Sequence, residues 1–146
     1  MNIRTMLVSD YEAVYDLWMS CAGIGLNDLD DSKEGITQFL QRNPETCFVA
    51  EVNNKIVGSI LAGNDGRRGY IYHTAVHPEY RRQHIGSQLI TTAMNALKRL
   101  GIHKVALVVF AKNKSGNNFW ENEGFSVRDD LVYRNKALTE LKRIDT

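Results

Sequence analysis

Thr74-Ala75-Val76-His77-Pro78-Glu79-Tyr80-Arg81-Arg82-Gln83-His84-Ile85-Gly86-Ser87 joins a β-rich run to the most regular amphipathic segment of the chain. Upstream, Tyr70 to Val76 is rich in β-formers, and Pro78, with no N–H to give, stops strand pairing. Downstream, Ile85, Leu89, Ile90, Ala93, Met94, Leu97 and Leu100 recur at helical spacing and end at Gly101, where a C′ glycine belongs. The amides of Arg82, Gln83, His84, Ile85, Gly86 and Ser87 then form a first helical turn. Its N–H groups have no intrahelical partner and lie at the positive end of the helix dipole. Such a turn favours an anion, above all a phosphate. Arg81 and Arg82 add positive charge, and Gly86 removes a Cβ where the backbone has to approach a ligand. The same residues also fit an ordinary helix start with solvated arginines.

Working outward, Asn2 to Val8 reads as a strand, and Ser9 with Glu12 as a capping box opening a helix that turns Val14, Leu17, Trp18 and Cys21 inward. Asp31 or Ser32 begins a second helix carrying Ile36, Phe39 and Leu40, which ends before Pro44. Cys47 to Val52 and Lys55 to Ala62 flank Asn53-Asn54, a two-residue turn tolerant of positive φ, so an antiparallel hairpin is expected. Val105 to Phe110 is a continuous apolar run, as in a strand buried on both faces beside a crossover helix. A helix over Ser115 to Glu123 and strands near Phe125 to Arg128 and Leu131 to Ala137 complete the order β-α-α-β-β-β-α-β-α-β-β. This is an α/β (α+β) domain over residues 1–146, with a mixed central sheet of about seven strands and four helices.

Composition excludes several classes. With 18 basic and 17 acidic residues the net charge is +1, so no global field draws the chain to nucleic acid or to an anionic membrane. No run of about 18 apolar residues occurs and the N-terminus lacks an apolar signal core, which makes the cytoplasm the expected location. Cys21 and Cys47 have no C-x-x-C spacing and read as buried thiols. The histidines, His73, His77, His84 and His103, show no zinc-ligand spacing, so no metal is expected.

Val76-His77-Pro78 followed by Arg81-Arg82-Gln83-His84-Ile85-Gly86 resembles the V-x-P strand end and the [RQ]-x-x-G-x-[GA] pyrophosphate loop of the GNAT acetyltransferases, with His84 at the first glycine. Asn113 to Phe125, N-K-S-G-N-N-F-W-E-N-E-G-F, is similar to the family's N-x-x-[AG]-x-x-[FL]-[YW]-x-x-x-G-F. The likeness covers essentially the whole chain and is nearest to small bacterial ribosomal-protein and amino-group acetyltransferases. It implies the GNAT fold, with acetyl-CoA as cosubstrate and an amine as acceptor. It also implies a splay between strands that admits the pantetheine arm along Thr74, Ala75 and Val76, and a pantetheine contact from Asn113. Asn is equally favoured as the N-cap of the helix that follows, and both roles are compatible.

The family reaction is direct attack of an amine on the acetyl thioester, which calls for a base and an acid. Many relatives place a tyrosine acid where Trp120 stands, and ribosomal-protein acetyltransferases a glutamate base where Val108 stands. Trp120 reads as packing, because an indole N–H is no proton donor at neutral pH. Regular alternation puts Tyr70, Tyr72 and Thr74 on one face. Tyr72 is the first candidate for proton transfer and Tyr133, on a late strand, the second. Asn27, Asp28, Asp30, Asp31 and Glu34 form an acidic loop that would attract a cationic amine. A non-catalytic acyl-CoA-binding module is the competing reading, and the sequence leaves open whether two copies pair as a homodimer through the C-terminal strands.

Overall fold

The computed structural model describes residues 1–146. Strand β1 (Asn2–Thr5) passes through a 3-10 turn (Val8–Asp10) into helix α1 (Tyr11–Ser20). Asp10, not Ser9, organises this entry: its carboxylate accepts from the Leu7 amide at 2.8 Å and from both terminal nitrogens of Arg4. Helix α2 (Lys33–Arg42) starts at Ser32, whose hydroxyl accepts from the Gly35 amide at 3.1 Å. Between the two helices lies a short strand that the sequence pattern does not announce, β2 (Gly25–Asn27).

Strands β3 (Phe48–Val52) and β4 (Lys55–Asn64) form the expected hairpin, with Asn53 and Asn54 at φ 50° and 63°. Strand β5 (Gly69–Val76) pairs back on β4, and helix α3 (Ile85–Arg99) crosses over to β6 (Val105–Ala106), which runs parallel to β5. The central sheet has the order β1-β3-β4-β5-β6. Helices α1 and α2 cover one face, burying Val14, Leu17, Trp18, Ile36 and Leu40 against Val49, Leu61 and Ala75. Helix α3 covers the other, packing Leu89, Ile90, Ala93 and Leu97 on Ala50, Val57, Ile60 and Ile71. The α/β class, the mixed sheet and the four helices agree with the sequence reading.

Three local expectations need correction. The alternation of β5 is broken by a bulge: Ile71 pairs with Ala62 and Thr74 with Ile60, so β5 advances three residues while β4 advances two. Tyr70 and Tyr72 therefore face α2, whereas Thr74, opposite Ile60, faces α3. The apolar run Val105 to Phe110 forms a ladder only at Val105 and Ala106, because β6 then diverges from β5.

The two late strands, Phe125 to Arg128 and Leu131 to Ala137, are not formed either. With β6 so short, no long edge is offered to them, and every residue from Ser126 to Arg143 is exposed. The chain end instead makes β7 (Arg143–Asp145), antiparallel to β2, giving a separate two-stranded sheet. Helix α4 (Lys114–Asn122) precedes this segment.

Candidate active site

Strand β5 meets β6 only through Gly69 and Tyr70, so its edge from Ile71 to Val76 has no ladder partner. Because the His77 amide donates to Val57 of β4 at 2.8 Å, strand geometry turns the Ala75 main chain toward β4 and those of Thr74 and Val76 toward the opening. The three residues that the resemblance gives to a pantetheine arm are thus unequal: Thr74 and Val76 present main-chain groups to the cleft, and Ala75 turns its own toward β4. The Val76 carbonyl is already engaged, accepting from Arg81 Nε at 3.3 Å and from the Cys21 thiol at 3.4 Å. The Thr74 hydroxyl is buried without a partner, on the α3 face.

At the end of this edge stands the loop singled out by sequence. None of the amides from Arg82 to Ser87 donates to any acceptor in the chain, the first helical bond being Gln88 N–H to the His84 carbonyl at 3.1 Å. Arg82 and His84 both adopt left-handed backbone, at φ 63° and 61°. His84 therefore takes the conformation a glycine would have supplied, and the turn closes without one. Successive amides alternating in this way form a concave anion site, continued here by the N-terminus of a 15-residue helix. Arg81, Arg82, Gln83 and His84 are exposed, while Ile85 and Gly86 are buried.

Gly86 has a packing reason beside the ligand approach that its motif suggests. A Cβ there would come within 3.0 Å of the Phe119 ring of α4 and 3.7 Å of Val76 Cγ2, so the glycine lets α3 pack against α4. Trp120 belongs to the same cluster, edge-on to Phe119 and Phe125 at 5.2 and 5.1 Å, which agrees with a packing role. Asn113 caps α4, accepting from the Gly116 amide at 3.0 Å. Its amide also abuts Gly23, whose added Cβ would lie 2.6 Å from Nδ2. Gly23 lies just past Cys21, so the end of α1 bridges the cleft from Val76 to Asn113.

At the head of the splay the Tyr72 ring lies tilted against Tyr70 at 4.7 Å and edge-to-face with Phe39 at 5.4 Å. Burial is the chief cause that pushes both phenols above the usual tyrosine range; Tyr133 adds to both, and Asp30 acts on Tyr72. Of the two tyrosines chosen from sequence, Tyr72 sits half-exposed on β5, whereas Tyr133 lies in an irregular, exposed segment and makes no ring contact with it. The acidic loop is partly consumed internally. Asp28 accepts from the Lys142 amide at 2.7 Å, and Asp31 is buried, holding the Asn27 amide and His73 at 2.8 and 2.6 Å. Both cysteines are buried, and burial pushes the Cys47 thiol up to about 12.

Residues 11–125 match the model of the acetyltransferase (GNAT) family. The chain belongs to the GNAT acetyltransferases. Among curated GNAT-like relatives, an acetyltransferase of Sodalis glossinidius is 34% identical over 140 residues, covering 96% of this chain and 97% of its own. One from Pectobacterium atrosepticum is 35% identical over 140 residues, with coverages of 96% and 98%. The PaiA N-acetyltransferase of Thermoplasma acidophilum, solved with coenzyme A, superposes with a TM-score of 0.75 at 20% identity, over 88% of this chain and 91% of that one.

As a GNAT enzyme this acyltransferase takes acetyl-CoA, and its surface fits that cosubstrate. Unpartnered amides with two arginines suit a diphosphate, and the open β5 edge suits an amide-bearing arm that pairs as a strand does. No cluster of three or more His, Cys, Asp or Glu side chains with metal-holding geometry is present.

Proposed function

We propose that the enzyme transfers acetyl from acetyl-CoA directly to a primary amine of a small molecule, an amino acid or a peptide or protein N-terminus. The observation that carries this reading is the continuity of the amide turn, Arg82 to Ser87, with the free edge of β5, the strand that also carries Tyr70 and Tyr72. Arg81, Arg82, Gln83, His84, Ile85, Gly86 and Ser87 hold the diphosphate, with the amides as donors and the two guanidiniums as charge. Thr74 and Val76 pair with the pantetheine arm, and a main-chain N–H at the cleft meets charge developing on the thioester carbonyl. Asn113 closes the opposite wall. Neither cysteine takes part, so no acyl-enzyme forms.

The acceptor approaches past Asp30, Tyr70, Tyr72 and Tyr133, where a carboxylate and π-faces both favour a cation. A phenol pushed upward stays protonated at neutral pH, so Tyr72 acts as a donor to the departing thiolate, with Tyr133 as its partner. Turnover of acetyl-CoA with a panel of amines, read as free thiol, tests the activity, and a thermal shift with acetyl-CoA tests binding on its own. A coenzyme-dependent shift without thiol release from any amine would favour the non-catalytic module.

The enzyme also pairs as a homodimer. Support comes from Ser126 to Leu141, which makes no backbone–backbone hydrogen bond while Val127, Val132 and Leu138 are 79%, 76% and 95% exposed. The same chain carries an unladdered edge over Leu107 to Phe110, so each copy holds both an extended segment and a place for one. Mutual pairing about a two-fold axis satisfies both.

A further inference from the structure

His73 is the residue that regular alternation conceals. The bulge in β5 turns it to the same side as Tyr72, toward α1 and α2, at the point where β5 and β6 part. There its Nε2 lies 2.6 Å from Asp31 Oδ1, and its ring is edge-on to Trp18 at 4.9 Å. The other carboxylate oxygen of Asp31 accepts from the Asn27 amide at 2.8 Å, and the Asp31 main-chain carbonyl accepts from the Tyr11 hydroxyl at 2.7 Å, so the carboxylate and the backbone that carries it are each held. An ionised carboxylate can only accept, so in the neutral ring the proton sits on Nε2 and Nδ1 keeps its lone pair. Nδ1 makes no hydrogen bond, yet it is not among the sealed polar atoms of the protein, which are Trp18 Nε1, Ser59 Oγ and Thr74 Oγ1. It is a bare acceptor reached from outside.

We infer that His73, oriented by Asp31, is the base that deprotonates the acceptor amine. This rests on the acetyl-transfer reading above. An arm running from the amide turn along Val76 and Thr74 points its far end at the bulge, and the acidic approach past Asp30 ends there too. The ammonium gives a proton to Nδ1, and the imidazolium so formed is held by the Asp31 carboxylate. The nitrogen lone pair then forms the C–N bond, the C–S bond breaks, and the amide nitrogen sheds its second proton. One of the two protons ends on the departing sulfur and the other in solvent. The groups around the imidazole are few: Asp31 from the turn before α2, Tyr11 and Trp18 from α1, Tyr72 beside it in the chain with Asp30 beyond, and apolar Leu61 across on β4. Asp31 is the carboxylate in direct contact. Asp31 is a positioning residue in this scheme, because it acts through the ring.

The test compares pH profiles of kcat/KM for wild type, His73→Gln and Asp31→Asn, using acceptor amines of high and low basicity. Folding is checked by melting, and acetyl-CoA affinity by calorimetry. For a strongly basic amine His73→Gln should lose about 10²–10⁴-fold with acetyl-CoA affinity unchanged. The loss should shrink as pH rises or as the amine becomes less basic, since such amines are already neutral. Asp31→Asn should give a smaller loss of the same shape. A constant loss at every pH and for every amine, or no loss, overturns the inference. Nitrogen-15 spectra of the wild-type ring supply a check independent of turnover: Nε2 protonated and Nδ1 bare is expected, and the opposite tautomer sinks the proposal even if the variants unfold. If wild-type protein releases thiol with no amine, the acetyl-transfer reading falls and takes this one with it. Wild-type turnover with an unaltered profile in the variants removes His73 alone.

Discussion

The Phe119 ring lies 3.0 Å from the point where a β-carbon on Gly86 would sit. Gly86→Val should therefore act through packing of α3 on α4, costing about 1–3 kcal/mol by overfilling the contact. Gly86→Ala asks the ring to give only a few tenths of an ångström, and it should keep the acetyl-CoA thermal shift; pairing it with Phe119→Leu should restore the melting temperature. Full loss of the shift in a well-folded Gly86→Ala protein would instead return the glycine to the ligand.

Arg82 and His84 share left-handed backbone, and glycine can hold that shape in both places. Arg82→Gly keeps the turn and removes a cation, so acetyl-CoA affinity should fall about tenfold, and less at high salt. His84→Gly relieves a strained residue, and the gain of up to about 1 kcal/mol is offset in part by greater freedom of the unfolded chain. Affinity for acetyl-CoA should not fall in that variant. Calorimetric titration of both proteins separates a turn made by amides from one made by side chains.

Tyr72→Phe removes a hydroxyl and leaves the ring contacts with Tyr70 and Phe39 intact. The expected result is a fall in kcat of up to about 10²-fold with little change in acetyl-CoA affinity, since the phenol meets the thiolate only as the C–S bond opens. Unchanged kcat would take Tyr72 out of the reaction.

The loop and the main helix were legible because their signals are local: Pro78, the arginine pair, a helical apolar period and Gly101 all fall within a few residues. The bulge at Tyr72 and His73 was not, because an extra residue in a strand leaves no mark in alternation and appears only against the β4 register. For the same reason the packing role of Gly86 left no mark, its contact with Phe119 being 33 positions away in sequence. Strands β2 and β7 are three residues each and bind the chain end to the α1–α2 connection, a pairing that no periodicity encodes. The unformed strands after Phe125 carry the right residue types, yet within one chain they do not ladder onto Leu107 to Phe110, where β6 has already diverged from β5.

That unladdered segment makes the proposed pairing of two copies testable. Val132→Asp with Leu138→Asp alters two side chains that are 76% and 95% exposed, so the melting temperature of the isolated chain should hardly move. Sedimentation should show a dimer for the wild type and a monomer for the double variant. A wild-type protein that sediments as a monomer at all concentrations would dismiss the pairing.

Arg4 joins three elements through one side chain, forking onto Asp10 at 2.8 and 2.9 Å and reaching Glu51 on β3 through Nε at 2.9 Å. The guanidinium is the main cause that holds the Asp10 carboxyl below the usual carboxylate range; burial opposes it and the Leu7 amide assists. A carboxyl depressed in the folded state adds stability above its unfolded value of ~3.9, and that contribution disappears as pH falls through the lower folded value. Asp10→Asn should thus cost about 1–3 kcal/mol near neutrality, from the lost charged hydrogen bonds and a guanidinium left half-partnered. The gap between wild type and variant should begin to narrow below about pH 4, where the unfolded chain's carboxyl takes up a proton that the folded one still resists, and should go on closing as pH falls through the lower folded value. Denaturant unfolding of both proteins at pH 7 and near pH 3 measures it, and a gap that stays constant with pH would mean the ion pair does not set the acid limb.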